Sequence, residues 1–294
     1  MMKMERKAKV ILEAYQNKYE EEIRIETVIK DNDTKYLAFI VGDSEKSHMK
    51  IRMEGLIDNM KSVEEIVEFI HQSYIESPFK EMENFTSRLL DFENVKENLF
   101  VKLLNTEKNK ERLENIVHKP WYNLSMVLCI HTILPDGRIG AIQASKELMN
   151  YWKKSVDEVF EIALLNAEEK FPMQPKSLTK FIIEMEYPFL SEKERKDICN
   201  EILKGEKEFA YICRNEDAIS AAGFLYPSNL KMLQPGDYII PSSMEECLIV
   251  KTDVLSIEEV VNMVKNINAD VVEEEIFLAD NMYEYAGNGK FIVH

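Results

Sequence analysis

Four times the chain spells Ser-x-x-Glu just ahead of an apolar run with helical spacing: at Ser62–Glu65, Ser155–Glu158, Ser191–Glu194 and Ser256–Glu259. In such a box the serine hydroxyl accepts the amide of the third helical residue, and the glutamate reaches back to the serine amide. Each box therefore marks where a helix begins. Behind Ser62 come Val63, Ile66, Val67, Ile70 and Tyr74. Behind Ser155 come Val156, Val159, Phe160, Ala163, Leu164 and Ala167. Ser191 is followed by Ile198, Cys199, Ile202 and Leu203, with Gly205 as the stop, and Ser256 by Ile257, Val260, Val261, Val264 and Ile267. Stripes of this period predict helices that bury one face.

Strand-like runs lie between the boxes. Residues 23–30 partly alternate, and 36–41 form a continuous apolar run. Met49, Ile51 and Met53 alternate with Lys50, Arg52 and Glu54, as on a sheet with one wet face. Residues 124–134 and 138–143 flank Pro135-Asp136-Gly137, and "MYEY" and "FIV" flank Asn288-Gly289; both read as hairpins. Residues 208–213, 237–240 and 247–251 are short apolar strands. From 97 to 168 the order is strand (Leu99 to Leu104), short helix (about 108–116), strand, strand, helix. From 207 to 267 it is strand (Phe209 to Cys213), helix (about 217–233), strand, strand, helix. Asn105-Thr106-Glu107 and Asn215-Glu216-Asp217 close the first strand of each, where an asparagine caps and acids suit the positive end of a helix.

The expected fold is α+β: an N-terminal α-β-β-β-α module over 1–80, a connector over 81–96, and two β-α-β-β-α units over 97–190 and 191–294 that suggest an internal duplication. Residues 76–96 and 170–190 read as linking segments. The chain has 294 residues, enough for roughly two domains and a large core without metal or disulfide staples.

The net charge of −16 argues against direct binding to nucleic acid or to an anionic membrane, since both need basic surface. The acids come in scattered clusters such as Glu20-Glu21-Glu22 and Glu273-Glu274-Glu275. Cys129, Cys199, Cys213 and Cys247 form no CxxC pair, which suits a reduced, cytoplasmic protein. The opening "MMKMERKAKV" has no signal-peptide core, and no run is long enough to span a membrane.

The C-terminal half has a family resemblance. "AYICRNEDAISAAGFLYPSNLKML" followed by "DYIIPSSMEECLIVK" resembles an uncharacterised bacterial family, domain of unknown function 5688. Its members pair a Tyr-Pro segment, here Tyr226-Pro227, with a Pro-Ser-Ser turn, here Pro241-Ser242-Ser243. "KLLNTEKNKERLENI", "EIALLNAEEKFP" and "DNMYEY" extend the resemblance over about two-thirds of the chain. It implies a cytosolic protein of Gram-positive anaerobic gut-type bacteria or their mobile elements, and it supplies no activity and no catalytic residues.

Chemistry-bearing spacings are few. Glu68-x-x-His71 is half of a di-iron motif, which needs a second copy and further carboxylates, so the pair reads as a solvated helix flank. Cys129 and His131 share a strand face in an apolar run and lack an orienting third group. His118 reads as a loop entry before Lys119-Pro120-Trp121. There is no Gly-rich phosphate loop, GxSxG or HExxH. We expect no catalytic residue, no metal and no cofactor. Ser242-x-x-Glu245 repeats the capping spelling, but a strand follows, so the segment reads as a turn in which Pro241 ends the ladder. Tyr226, Pro227, Ser242, Ser243 and Glu245 form the one candidate surface groove.

Three functions fit. The first is a non-enzymatic intracellular interaction or regulatory protein with a protein partner. The second is an acidic antagonist of a nucleic-acid-binding protein, which calls for a contiguous acidic face. The third is a hydrolase or transferase with an unfamiliar site, which calls for a deep pocket of convergent polar groups. The sequence does not set the oligomeric state.

Overall fold

The computed structural model describes residues 2–42, 49–59, 62–76, 88–133, 139–173, 175–205, 207–214, 220–241, 243–251, 258–259, 261–262 and 272–294. The Pro135-Asp136-Gly137 turn, the Ser256 box and the Asn215-Glu216-Asp217 segment lie outside the described residues. The architecture is α+β, with helices and several small sheets. The described residues up to Asp91 form one compact unit, and those from Phe92 onward form a larger one.

The N-terminal unit holds α1 (Met2–Lys18), β1 (Ile23–Ile29), β2 (Lys35–Val41), β3 (Met49–Arg52), α2 (Met53–Asn59) and α3 (Val63–Ile75). The strands pair antiparallel in the order β1-β2-β3. Helical stripes and one sheet face meet in a core that fully buries Ile11, Tyr15, Phe39, Met53, Ile66 and Ile70. Each such side chain contributes about 1.5–3 kcal/mol over leaving it in water. The box at Ser62 forms as expected: the Glu65 amide donates to Ser62 Oγ at 3.1 Å, and the Ser62 amide donates to Glu65 Oε2 at 3.0 Å. The expected third strand is shorter than its alternation. It stops at Arg52, and Met53 opens a helix, because Met53 and Ile57, one turn apart, both enter the core.

The larger unit continues with α4 (Phe92–Val95), β4 (Leu99–Asn105), α5 (Lys110–Leu113), β5 (His118–Trp121), β6 (Leu124–Ile133), β7 (Ile139–Gln143), α6 (Lys146–Trp152) and α7 (Val156–Lys170). It ends with β8 (Lys176–Ser177), α8 (Leu178–Glu186), α9 (Glu192–Leu203), β9 (Ala210–Cys213), α10 (Pro227–Met232), β10 (Tyr238–Ile240), β11 (Cys247–Val250), β12 (Tyr283–Gly287) and β13 (Lys290–Val293). One sheet runs β4-β6-β5, with β7 also on β6; the other runs β13-β12-β10-β11-β9-β8.

The two expected β-α-β-β-α runs share their order along the chain but not in the sheet. β4 pairs with β6, the first of the two strands expected after it, whereas β9 pairs with β11, the second of its two. The described residues of both runs lie in the larger unit.

Local corrections have local causes. His118 is in strand β5, not a loop entry; β5 and β6 turn through Tyr122-Asn123, with Tyr122 at φ +53°. The expected helix over 217–233 is broken in two: a 3-10 turn spans Ala221–Leu225 and α10 starts at Pro227. Tyr226, the residue before that proline, is extended, as the ring requires. The linking segment 170–190 contains α8. Its cap Ser177 has no glutamate three residues on; Glu208 serves instead, accepting from the Ser177 hydroxyl and from Thr179. Asn105 caps as expected, accepting the Lys108 amide at 2.9 Å. Asn288 and Gly289 both take positive φ in the β12–β13 hairpin, the geometry of a type I′ turn.

Candidate functional site

The residues singled out around the Pro-Ser-Ser turn are mostly braces. Ser242 lies outside the described residues. Ser243 is buried, and its hydroxyl accepts the amides of Glu245 (3.2 Å) and Glu246 (3.3 Å), closing its own turn. Met244 ties that turn to two others: its amide donates to Ile276 O and its carbonyl accepts from Ala221. Tyr226 is 2% exposed, and burial pushes its hydroxyl pKa far up, with the charge of Glu168 adding to the effect. Pro227 opens α10, and Glu245 is half-buried. Pro227 and Glu245 reach the surface; Tyr226 and Ser243 belong to the interior.

The remaining candidates are equally structural. Cys213 and Cys247 face each other on β9 and β11, both fully buried, and desolvation holds the Cys247 thiol well above its usual pKa. That environment suits an inert core thiol. Glu68 is exposed, as expected, and accepts from Lys18 Nζ (2.6 Å) and the Tyr19 hydroxyl (2.9 Å). The hydrogen bond from Lys18 holds its carboxyl below the usual range. His71 differs from the solvated flank expected of it. It stacks on Tyr19 with ring centroids 3.5 Å apart and 7° between planes, and its Nδ1 lies 3.6 Å from Glu21 Oε2. This packing pins the end of α1 to α3 just ahead of β1. Among the described residues, no group of three or more His, Cys, Asp and Glu could hold a metal ion. No helix among them is long and apolar enough to cross a membrane.

The feature that stands apart is the outer edge of β1. In an antiparallel ladder, residues in the narrow pairs bond the neighbour, and those between them point away. The Gly42 amide donates to Glu22 O and the Lys30 amide to Thr34 O, both at 2.9 Å. These bonds set the parity: the backbone groups of Glu22, Arg24, Glu26 and Val28 face β2, and those of Ile23, Ile25, Thr27 and Ile29 face outward. Among the described residues no strand pairs with that side. β1 is seven residues long, holds an unbroken register and contains no proline. Thr27 is exposed and Ile29 is 48% exposed. An open recess of about 450 Å³ runs along its start, lined by Tyr19, Glu20, Glu21, Glu22 and Arg24 among others.

Several other sheet edges are guarded. β3 has four residues and β8 only two. On β13 the Phe291 amide, which points away from β12, donates to the Tyr122 hydroxyl at 2.9 Å. β4 is as long as β1, but it is buried, and Ser220 Oγ donates to Val101 O at 2.8 Å. β5 carries Pro120, which has no amide to offer. Sequence reading found β1 as a strand and missed its edge. No local signal marks that edge: Arg24 and Glu26 within an isoleucine alternation show a solvated face, which central and edge strands share.

No curated protein matches the chain, and no solved structure does. A family model matches residues 4–287, and the chain belongs to that family, the family of unknown function DUF5688.

Proposed function

We propose that the protein is a cytoplasmic bacterial interaction protein without catalytic activity of its own, and that its N-terminal unit receives an extended protein segment along β1. The observation that carries this reading is the row of outward backbone groups at Ile23, Ile25, Thr27 and Ile29 on a long, regular strand. A strand with such an edge is a template for another chain: main-chain hydrogen bonds supply affinity, and alternate side chains supply selectivity. An open recess lies beside Glu20–Arg24, at the start of the strand. The four free cysteines suit a reducing compartment. Lysine and arginine interleave with the acids in pairs such as Lys18–Glu68, Lys119–Asp157 and Arg214–Glu246, which favours a solvated surface over an acidic mimic.

Thr27→Pro tests the reading with little collateral damage. Thr27 sends its amide outward, so proline removes no bond to β2, while its ring and missing donor block an added strand. Proteins that co-purify with the wild type at native expression are expected to be lost from the variant, with an unchanged circular-dichroism spectrum. An identical set of co-purifying proteins from both would refute the proposal.

A further inference from the structure

Resting on the strand-accepting reading above, we infer that the strand received by β1 is β1 of a second copy of this chain, in an antiparallel pair centred on Ile25. The charges along the strand select this occupant and this register. With Ile25 opposite Ile25, the narrow pairs fall on the outward-facing residues: Ile23 of one copy meets Thr27 of the other. Each narrow pair exchanges two hydrogen bonds. Arg24 then stands opposite Glu26 of the second copy, and by symmetry Glu26 opposite Arg24. These are wide pairs, where facing side chains come closest. Further out, Glu20 of one copy meets Lys30 of the other, while Glu21 and Glu22 meet Ile29 and Val28.

Neighbouring registers lack this complementarity. Centring on Glu26 sets Glu26 against Glu26, and centring on Arg24 sets Arg24 against Arg24; like charges directly opposite are destabilising. Within one chain Arg24 already pairs with Glu26 on the same strand face at 2.5 Å, so the dimer would gather two arginines and two carboxylates into an alternating square. Both partners of the Arg24–Glu26 pair keep substantial solvent exposure, so a second strand can reach them. In this register residues 26–30 of the second copy run beside Glu20–Arg24, among the residues that line the recess at the start of β1. The joined edges would form one continuous sheet with a twofold axis, an isologous interface.

Sedimentation velocity over a range of protein concentrations tests the inference, using the full chain and three variants: Arg24→Glu, Glu26→Arg, and the two together. The wild type is expected to dimerise. Each single reversal puts like charges opposite each other twice and is expected to weaken dimerisation about tenfold or more. The double reversal restores opposite charges and is expected to bring dimerisation back to near the wild-type level, which a merely misfolded variant would not do. A chain that stays monomeric throughout, or a dimer indifferent to all three changes, overturns the inference. The proposed function falls separately, only if Thr27→Pro leaves captured proteins unchanged.

Discussion

The six-stranded sheet of the larger unit and the three-stranded sheet of the N-terminal unit handle the same hazard in opposite ways. Every sheet that does not close on itself has two edges with unpaired amides and carbonyls. The six-stranded sheet ends in a two-residue strand on one side, and on the other in β13, whose outward Phe291 amide is taken by the Tyr122 hydroxyl. Trp121 packs edge-on against Phe291 beside it, so one turn of the neighbouring β5–β6 hairpin both caps and covers that border. β1 has the length and regularity that such devices exist to hide, and no partner along its outer side among the described residues. The same chain that spends a tyrosine and a serine on closing two edges leaves a third open. That difference is the reason to treat β1 as a surface with a task, since a long open edge without one carries a risk of aggregation.

The comparison can be broken from the guarded side. Ser220→Ala is expected to have the largest effect on stability. Ser220 is buried, donates to Val101 O on the edge of β4, and accepts the Ala222 amide at 3.0 Å. Its loss leaves two buried backbone groups unsatisfied and is expected to cost about 1–3 kcal/mol, read as a lower midpoint of urea unfolding. Tyr122→Phe follows. It keeps the ring against Trp121 and removes only the hydroxyl that receives the Phe291 amide. About 1 kcal/mol is expected, together with faster hydrogen exchange at Phe291. The guarded edge would then resemble β1 locally. If neither substitution changes stability or exchange, the hydroxyls are incidental and the contrast between the guarded edges and β1 loses its basis.

Much of the fold was legible where one residue determines its own surroundings. Ser62 and Ser191 start helices with both bonds of the capping box, and Asn288-Gly289 turns a hairpin with both residues at positive φ. Such signals are local, so a sequence carries them. Reading failed where the decisive partner came from elsewhere. α8 went unseen because Glu208, distant in sequence, replaces the missing glutamate of its cap. At Ser155 the serine caps as spelled, but Glu158 binds Lys154 at 2.6 Å. β5 hid behind Pro120 and a turn containing Tyr122, a side chain with no turn preference. The duplication read from element order did not extend to the sheets, where β4 takes the first and β9 the second of the two strands expected after each; strand order is set by packing rather than by spelling.

The candidate site divides the same way. The Pro-Ser-Ser turn caught the eye through its wording, and its chemistry turns inward: Ser243 holds two amides of its own turn. The edge of β1 has no distinctive wording. Whether a strand lies at a border depends on what pairs with it, and alternation of Ile23, Ile25 and Ile29 reads alike in either position.

The central claim is that the outward groups of β1 are open and become paired when the protein binds. Residue-resolved amide hydrogen exchange along β1, at low protein concentration and then at saturation with the bound strand, measures it most directly. The expected result is an alternation: Ile25 and Thr27 exchange fast in the dilute protein while Arg24, Glu26 and Val28 exchange slowly, and saturation slows Ile25 and Thr27 to match. Slow exchange at Ile25 and Thr27 already in the dilute monomer, or fast exchange that persists at saturation, would contradict the account.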